Sequence, residues 1–163
     1  MEFKTNKGEK LSEILAEQKV LLVFLRHFGC TFCRETMADL SKVRRELASN
    51  GIDIVVVHMI DFEPAQEMLD LYGLGDIQHV SDKSKVLYRS YGLQYAGIQA
   101  MFGFKNWWRA FVAGLMKGHL IGKPAGDPWQ MPGAFFIDNN QIINKFEYRY
   151  VSDRPDFRTL ARA

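Results

Sequence analysis

Six consecutive apolar residues occupy positions 20–25, Val-Leu-Leu-Val-Phe-Leu. A strand without polar alternation has no face to offer water, so this run demands a sheet covered on both sides. Residues 52–57 predict a second buried strand. Between the two strands, Met37, Leu40, Val43 and Leu47 recur at spacings of three and four among charged residues, which predicts a helix over 34–49, ended by Asn50-Gly51. A short amphipathic helix over 10–18 precedes the first strand. A helix over 64–72, a strand over 77–80 and a helix near 84–91 follow the second. Strands over 134–138 and 142–147 flank Asn139-Asn140-Gln141 as a hairpin, and a last helix is expected over 154–161. Strand-helix alternation implies parallel strands with right-handed crossovers, and the hairpin adds antiparallel ones. The expectation is an α/β chain with a mixed central sheet between helical layers. No repeat or low-complexity tract divides it, so residues 1–163 read as a single domain.

At 163 residues, 47% of them apolar, such a chain buries roughly 70% of its unfolded surface and needs neither disulfides nor a metal to assemble a core. The charged opening and the short first apolar run predict no secretion signal and no transmembrane helix. A net charge of +2 argues against a nucleic-acid binder driven by bulk positive charge. The balance is uneven, because residues 83–126 contain seven Lys or Arg and no Asp or Glu. Inside that stretch Met101, Phe104, Trp107, Trp108, Phe111, Val112, Leu115 and Met116 form a wide apolar stripe at helical period, with Lys105, Arg109 and Lys117 opposite. Residues 97–126 therefore read as a helical insertion. Packing on this domain, or on a second copy as a homodimer face, is the commoner fate of such a stripe; a membrane-surface helix is the competing reading.

Two cysteines in a chain that does not need them call for a chemical reading. Cys30 and Cys33 lie directly after the first buried strand and directly before the following helix. A C-x-x-C is half a zinc site, but zinc would need two further ligands, and His27, His58, His79 and His119 lack the short spacings of structural sites. No metal is expected. At a helix N-terminus, unpaired N–H groups and the helix dipole favour a thiolate, and a second sulfur one turn on can close an intramolecular disulfide. Reduction of disulfides and reduction of peroxides both follow from that geometry. Arg26, His27 and Arg34 supply positive potential nearby, and Phe32 lies between the sulfurs. Paired cysteines of this kind suit a cytoplasmic chain, where structural disulfides are rare. No cofactor is expected, since the sulfurs carry the electrons. Met131-Pro132-Gly133 directly precedes a predicted strand, and Pro132 cannot donate to its ladder.

With these residues in view, the chain resembles the thioredoxin-fold superfamily on its peroxiredoxin-like side, the AhpC/TSA group, and most of all peroxiredoxin-like 2 type proteins with a C-x-x-C. The likeness runs through residues 21–35, from Val80-Ser81-Asp82-Lys83 to Tyr91-Gly92-Leu93, and through Pro132-Gly133-Ala134-Phe135-Phe136-Ile137-Asp138. It implies a three-layer α/β/α thioredoxin-like fold. It also implies that Pro132 stands where thioredoxin-fold proteins place a cis-proline beside the cysteines, with Met131 next to it, to present a substrate backbone.

The sequence departs from the peroxiredoxin pattern P-x-x-x-T-x-x-C. Aligned on Cys33, Arg26 replaces the Pro and Cys30 replaces the Thr, while Pro132 stands where many members carry a peroxide-binding Arg. The Trp and Gly-Pro of thioredoxin's Trp-Cys-Gly-Pro-Cys are absent as well. By thioredoxin logic Cys30 attacks and Cys33 resolves; by peroxiredoxin logic the roles reverse. The retained proline favours Cys30. The resulting expectation is a thiol-disulfide oxidoreductase cycling through a Cys30–Cys33 disulfide, with a thiol peroxidase acting on hydroperoxides as the alternative and a non-catalytic docking module as the second. Its expected partners are a thiol or disulfide substrate protein or a small hydroperoxide, and a reductant such as thioredoxin or glutathione.

Overall fold

The computed structural model describes residues 2–28, 30–95, 126–150 and 152–162. Helix α1 (Leu11–Glu17) leads into strand β1 (Lys19–Phe24). Helix α2 (Thr31–Ser49), strand β2 (Ile52–His58), helix α3 (Phe62–Leu71), strand β3 (Gln78–Ser81) and helix α4 (Val86–Ser90) follow. The hairpin β4 (Gly133–Asp138) and β5 (Gln141–Glu147) and a short helix α5 (Phe157–Leu160) complete the described elements. The sheet order is β3-β2-β1-β4-β5. Strands β1, β2 and β3 are parallel, and β4 runs antiparallel to both β1 and β5. This is the mixed α/β sheet expected from the sequence.

β1 is the centre of the sheet, and its side chains alternate between two cores. Leu21 and Val23 face one layer with Met37 and Leu40 of α2, Leu69 of α3 and Phe157 and Leu160 of α5. Val20, Leu22 and Phe24 face the other with Leu11, Ile14 and Leu15 of α1 and Tyr88 of α4. Two apolar layers on one strand explain why it contains no polar position after the exposed Lys19 at its start. The edge strand β5 is mostly exposed, including Ile142 and Ile143.

Several boundaries differ from the sequence reading. Helix α2 begins at Thr31, one turn before the first position of the expected helix, so Cys33 is helical and Cys30 is its N-cap. Its C-terminus closes as expected: Gly51 takes φ +69° and its N–H donates to the Ala48 carbonyl. The hairpin loop has two residues, not three. Asn139 and Asn140 both take positive φ, 48° and 60°, a combination that Asn tolerates and that matches the twist of the flanking strands. The last helix shrinks to four residues, capped by Asp156, whose carboxylate accepts from the Arg158 and Thr159 N–H groups. The apolar stripe expected over 97–126 lies outside the described residues apart from Gly126. Among the described residues, no helix is long and apolar enough to cross a membrane.

Candidate active site

The site grows from the C-terminal end of β1. Leu25 continues the pairing by donating its N–H to the Val57 carbonyl at 2.9 Å, and the buried Tyr88 hydroxyl donates to the Leu25 and Val57 carbonyls. The chain then turns. The Cys30 N–H donates to the His27 carbonyl at 3.0 Å, and the Cys30 carbonyl accepts the Arg34 N–H at 3.1 Å as the opening bond of α2. The Arg34 side chain reaches back, Nε to the Phe28 carbonyl at 3.2 Å, and so holds the loop on the helix.

Both thiols are free and buried, with Cys30 5% and Cys33 4% exposed. The Arg26 Nη2 group donates to Cys30 Sγ at 3.1 Å, and Arg26 is itself only 7% exposed. A charged donor in a place with little water stabilises the thiolate over the thiol. Cys30 is held well below the usual thiol range, first by a hydrogen bond from the Cys33 thiol, against the opposing effect of burial, and then by the Arg26 charge. The Cys33 N–H, in the first turn of α2, faces the same sulfur without closing a full capping bond. Cys33 moves the other way. Its hydrogen bond to Cys30 and its burial push it well above the ordinary value. The two shifts are opposite in sign, which makes Cys30 the more acidic thiol of the pair.

His27 supplies less positive potential than the sequence suggested. Its imidazole is buried, and burial pulls its pKa down, so the ring is neutral near pH 7. Arg26 Nη2 also lies 3.3 Å from His27 Nε2. A guanidinium cannot accept, so Nε2 accepts and the proton sits on Nδ1. Arg34 is committed to the Phe28 carbonyl, and Phe32 packs partly buried against the core.

The structure gathers Arg26, His27, Cys30 and Cys33 at one point. It sets Met131 and Pro132 against a groove of about 480 Å³ lined also by Tyr91, Leu93, Phe135 and Tyr148, with neither cysteine in the lining. No peptide bond among the described residues is cis, which corrects the isomer implied for Pro132. Trans is the lower-energy X-Pro isomer by about 0.5–1 kcal/mol, and the Met131 N–H is already used by the Gln94 carbonyl. Gly133 follows because a Cβ there would lie 2.6 Å from Leu93 Cδ2.

Residues 1–146 match the AhpC/TSA family. The chain belongs to the AhpC/TSA family. It is 42% identical to prostamide/prostaglandin F synthase of Danio rerio over 98% of this chain and 81% of the relative. It is 23% identical to peroxiredoxin-like 2C of Bos taurus over 81% of this chain and 61% of that protein. Among solved structures, a cysteine-to-serine mutant of peroxiredoxin 6 from Arenicola marina superposes with a TM-score of 0.67 at 12% identity, covering 99% of this chain and 67% of that one. The likeness establishes the thioredoxin-like fold, and family membership supports a redox function for this AhpC/TSA protein.

Sequence reasoning missed the residues around Arg26. The Pro128 carbonyl accepts from Arg26 Nη1 at 2.9 Å, and Asp127 pairs with Lys85 at 2.8 Å. Asp127-Pro128 is a recognisable turn signal, but nothing in the sequence ties it to a residue about a hundred positions away. A second missed feature is a buried histidine pair. His58 Nε2 lies 2.8 Å from His79 Nδ1, and His79 Nε2 lies 3.1 Å from Gln66 Oε1. The Ile60 N–H points at His58 Nδ1, so protons sit on both Nε2 atoms and the chain donates outward to Gln66. Among the described residues no three His, Cys, Asp or Glu side chains are arranged to hold a metal ion.

Proposed function

We propose that this protein is a dithiol oxidoreductase in which Cys30 is the nucleophile and Cys33 the resolving thiol. The observation that carries the reading is the Arg26 Nη2 to Cys30 Sγ hydrogen bond at 3.1 Å, a charged donor on one of the two buried sulfurs. The Cys30 thiolate attacks one sulfur of a substrate disulfide, forming a mixed disulfide and expelling the other sulfur as a thiolate. Cys33 then loses its proton and attacks Cys30. The Cys30–Cys33 bond forms, the second substrate sulfur leaves as a thiolate, and the substrate has gained two electrons from the pair, with one proton from Cys33 and the other from solvent. A thiol reductant such as thioredoxin or glutathione returns the pair to the dithiol in a reducing compartment, the cytoplasm.

A peroxide substrate is the second reading, favoured by the family itself. The thiolate would take one oxygen of an O–O bond, leaving an alcohol or water and a Cys30 sulfenic acid, which condenses with Cys33 and releases water. The zebrafish relative, named as a synthase of prostamide and prostaglandin F, extends the candidate substrates to oxygenated lipids. The test is a stopped-flow mix of reduced protein with one equivalent of hydrogen peroxide, and in parallel with oxidised glutathione, followed by mass mapping. Rapid Cys30–Cys33 closure with oxidised glutathione and a peroxide rate near that of free cysteine is the expected result. A peroxide rate orders of magnitude faster moves the second reading ahead. Alkylation of Cys33 before Cys30 by iodoacetamide at neutral pH overturns the assignment of the nucleophile.

A further inference from the structure

Arg26 reaches Cys30 with one amino group of its guanidinium, while the other donates to the Pro128 carbonyl. The guanidinium is planar and rigid, so the carbonyl that fixes Nη1 also fixes where Nη2 points. Whatever holds Pro128 in place therefore aims the donor at the sulfur.

Residues 126–131 form a strap across the end of β1, and its fixings are specific. Gly126 makes an antiparallel bridge with His27. It has φ +118°, and a Cβ there would lie 3.1 Å from the Arg26 carbonyl oxygen and 3.2 Å from His27 Cβ, so only glycine fits the approach. At the other end, Gln130 Nε2 donates to the Leu93 carbonyl at 3.0 Å and the Met131 N–H to the Gln94 carbonyl at 3.1 Å. Between them, Asp127 Oδ1 accepts the Trp129 N–H at 2.8 Å, which shapes the turn carrying Pro128, and Asp127 Oδ2 accepts from Lys85 Nζ at 2.8 Å. Lys85 also touches the Tyr95 hydroxyl and lies over that ring.

The conformation of Lys85 supports a dedicated role. It takes φ 57°, ψ 31° as the residue before α4, a left-handed conformation that costs a side chain with a Cβ roughly 1–2 kcal/mol. Asp82 holds the segment there: its carboxylate accepts the Val86, Leu87 and Tyr88 N–H groups. The Lys85 ammonium is thereby delivered to Asp127.

We propose that Lys85 and Asp127 are positioning residues for Cys30, acting through the Pro128 carbonyl and Arg26. The proposal rests on the reading of Cys30 as the low-pKa thiol. Among the described residues, the ionisable groups facing Cys30 are Arg26 and His27 from the strand-helix turn and Cys33 from α2; those facing Lys85 are Asp127 and Tyr95.

The test is the pH dependence of iodoacetamide alkylation, mapped to each cysteine by mass spectrometry, in wild type, Lys85→Met, Lys85→Arg, Asp127→Asn, Arg26→Met and the Arg26→Met/Lys85→Met double variant. Lys85→Met and Asp127→Asn are expected to raise the Cys30 midpoint by about one pH unit, a tenfold change in equilibrium. Lys85→Arg restores a cation opposite Asp127 and keeps the wild-type midpoint, so the shift in Lys85→Met follows the loss of the ion pair. In the Arg26→Met background, Lys85→Met adds nothing further, the signature of one acting through the other. An unchanged midpoint in Lys85→Met, or full additivity with Arg26→Met, overturns the proposal. Cys33 reacting first in wild type overturns instead the reading beneath it, so the two failures are distinct.

Discussion

Arg26 Nη2 and Cys30 Sγ lie 3.1 Å apart, donor to acceptor, with both groups nearly inaccessible to solvent. Hydrogen bonds to charged groups in such surroundings contribute about 1.5–3 kcal/mol. Arg26→Met is therefore expected to slow the reaction of Cys30 with a disulfide near pH 7 by about tenfold to a hundredfold. Second-order rates with a model disulfide measure this, and a loss below threefold contradicts it.

The interaction of the Cys33 thiol with the Cys30 sulfur lowers the pKa of Cys30 and raises that of Cys33. A hydroxyl in its place preserves the donor, whereas a methyl does not. The Cys30 alkylation midpoint of Cys33→Ala should lie above that of Cys33→Ser, and that of wild type below the ordinary thiol value. Equal midpoints for the two variants would show that the Cys33 proton does not act on Cys30.

His58 and His79 are neutral in the fold, pulled down by burial from 6.5 to about 3 and about 4. With folded values below unfolded ones, the unfolded chain binds more protons between those limits, so stability falls as pH drops through 6.5 toward 4. Between pH 7 and pH 5 each histidine is expected to remove about 2 kcal/mol. Urea unfolding at both pH values measures the loss, and His79→Gln should remove roughly half of the histidine contribution.

Arg154 joins the C-terminal segment to α2, donating to the buried Glu35 carboxylate at 3.0 Å and pairing with Asp39. Arg154→Ala is expected to cost about 2 kcal/mol, because it removes a cation from beside a buried carboxylate. Thermal unfolding should show a lower midpoint, and amide exchange in α5 should quicken. A change of a few tenths would mean the pair behaves as a surface one.

The sheet was legible in the sequence because β1 carries its burial as the apolar run 20–24 and β2 as the run 54–57, and α2 displays its buried stripe at helical spacing. The cysteines were legible for the same reason, since a strand and a helix on either side fix where they must lie. The start of α2 was not. Thr31, Phe32 and Cys33 have no apolar periodicity of their own, and their helicity follows from the turn that anchors Cys30 to His27. Lys85, Asp127 and Pro128 were invisible as site residues because their role depends on contacts between segments remote in sequence. The two buried histidines stood in the sequence as isolated residues, and only the parallel pairing of His79 with Val56 brings them together.

The Arg26 to Cys30 bond bears on electron affinity as well as on reactivity. It stabilises a thiolate, and a thiolate exists only in the reduced pair, so closure of a Cys30–Cys33 disulfide surrenders it. In a two-electron couple 1.4 kcal/mol corresponds to about 30 mV, and a bond of about 1.5–3 kcal/mol shifts the midpoint upward by about 30–65 mV. The buried guanidinium thus makes the oxidised protein a stronger acceptor of electrons than the same C-x-x-C without it, and makes its regeneration by a reductant correspondingly easier.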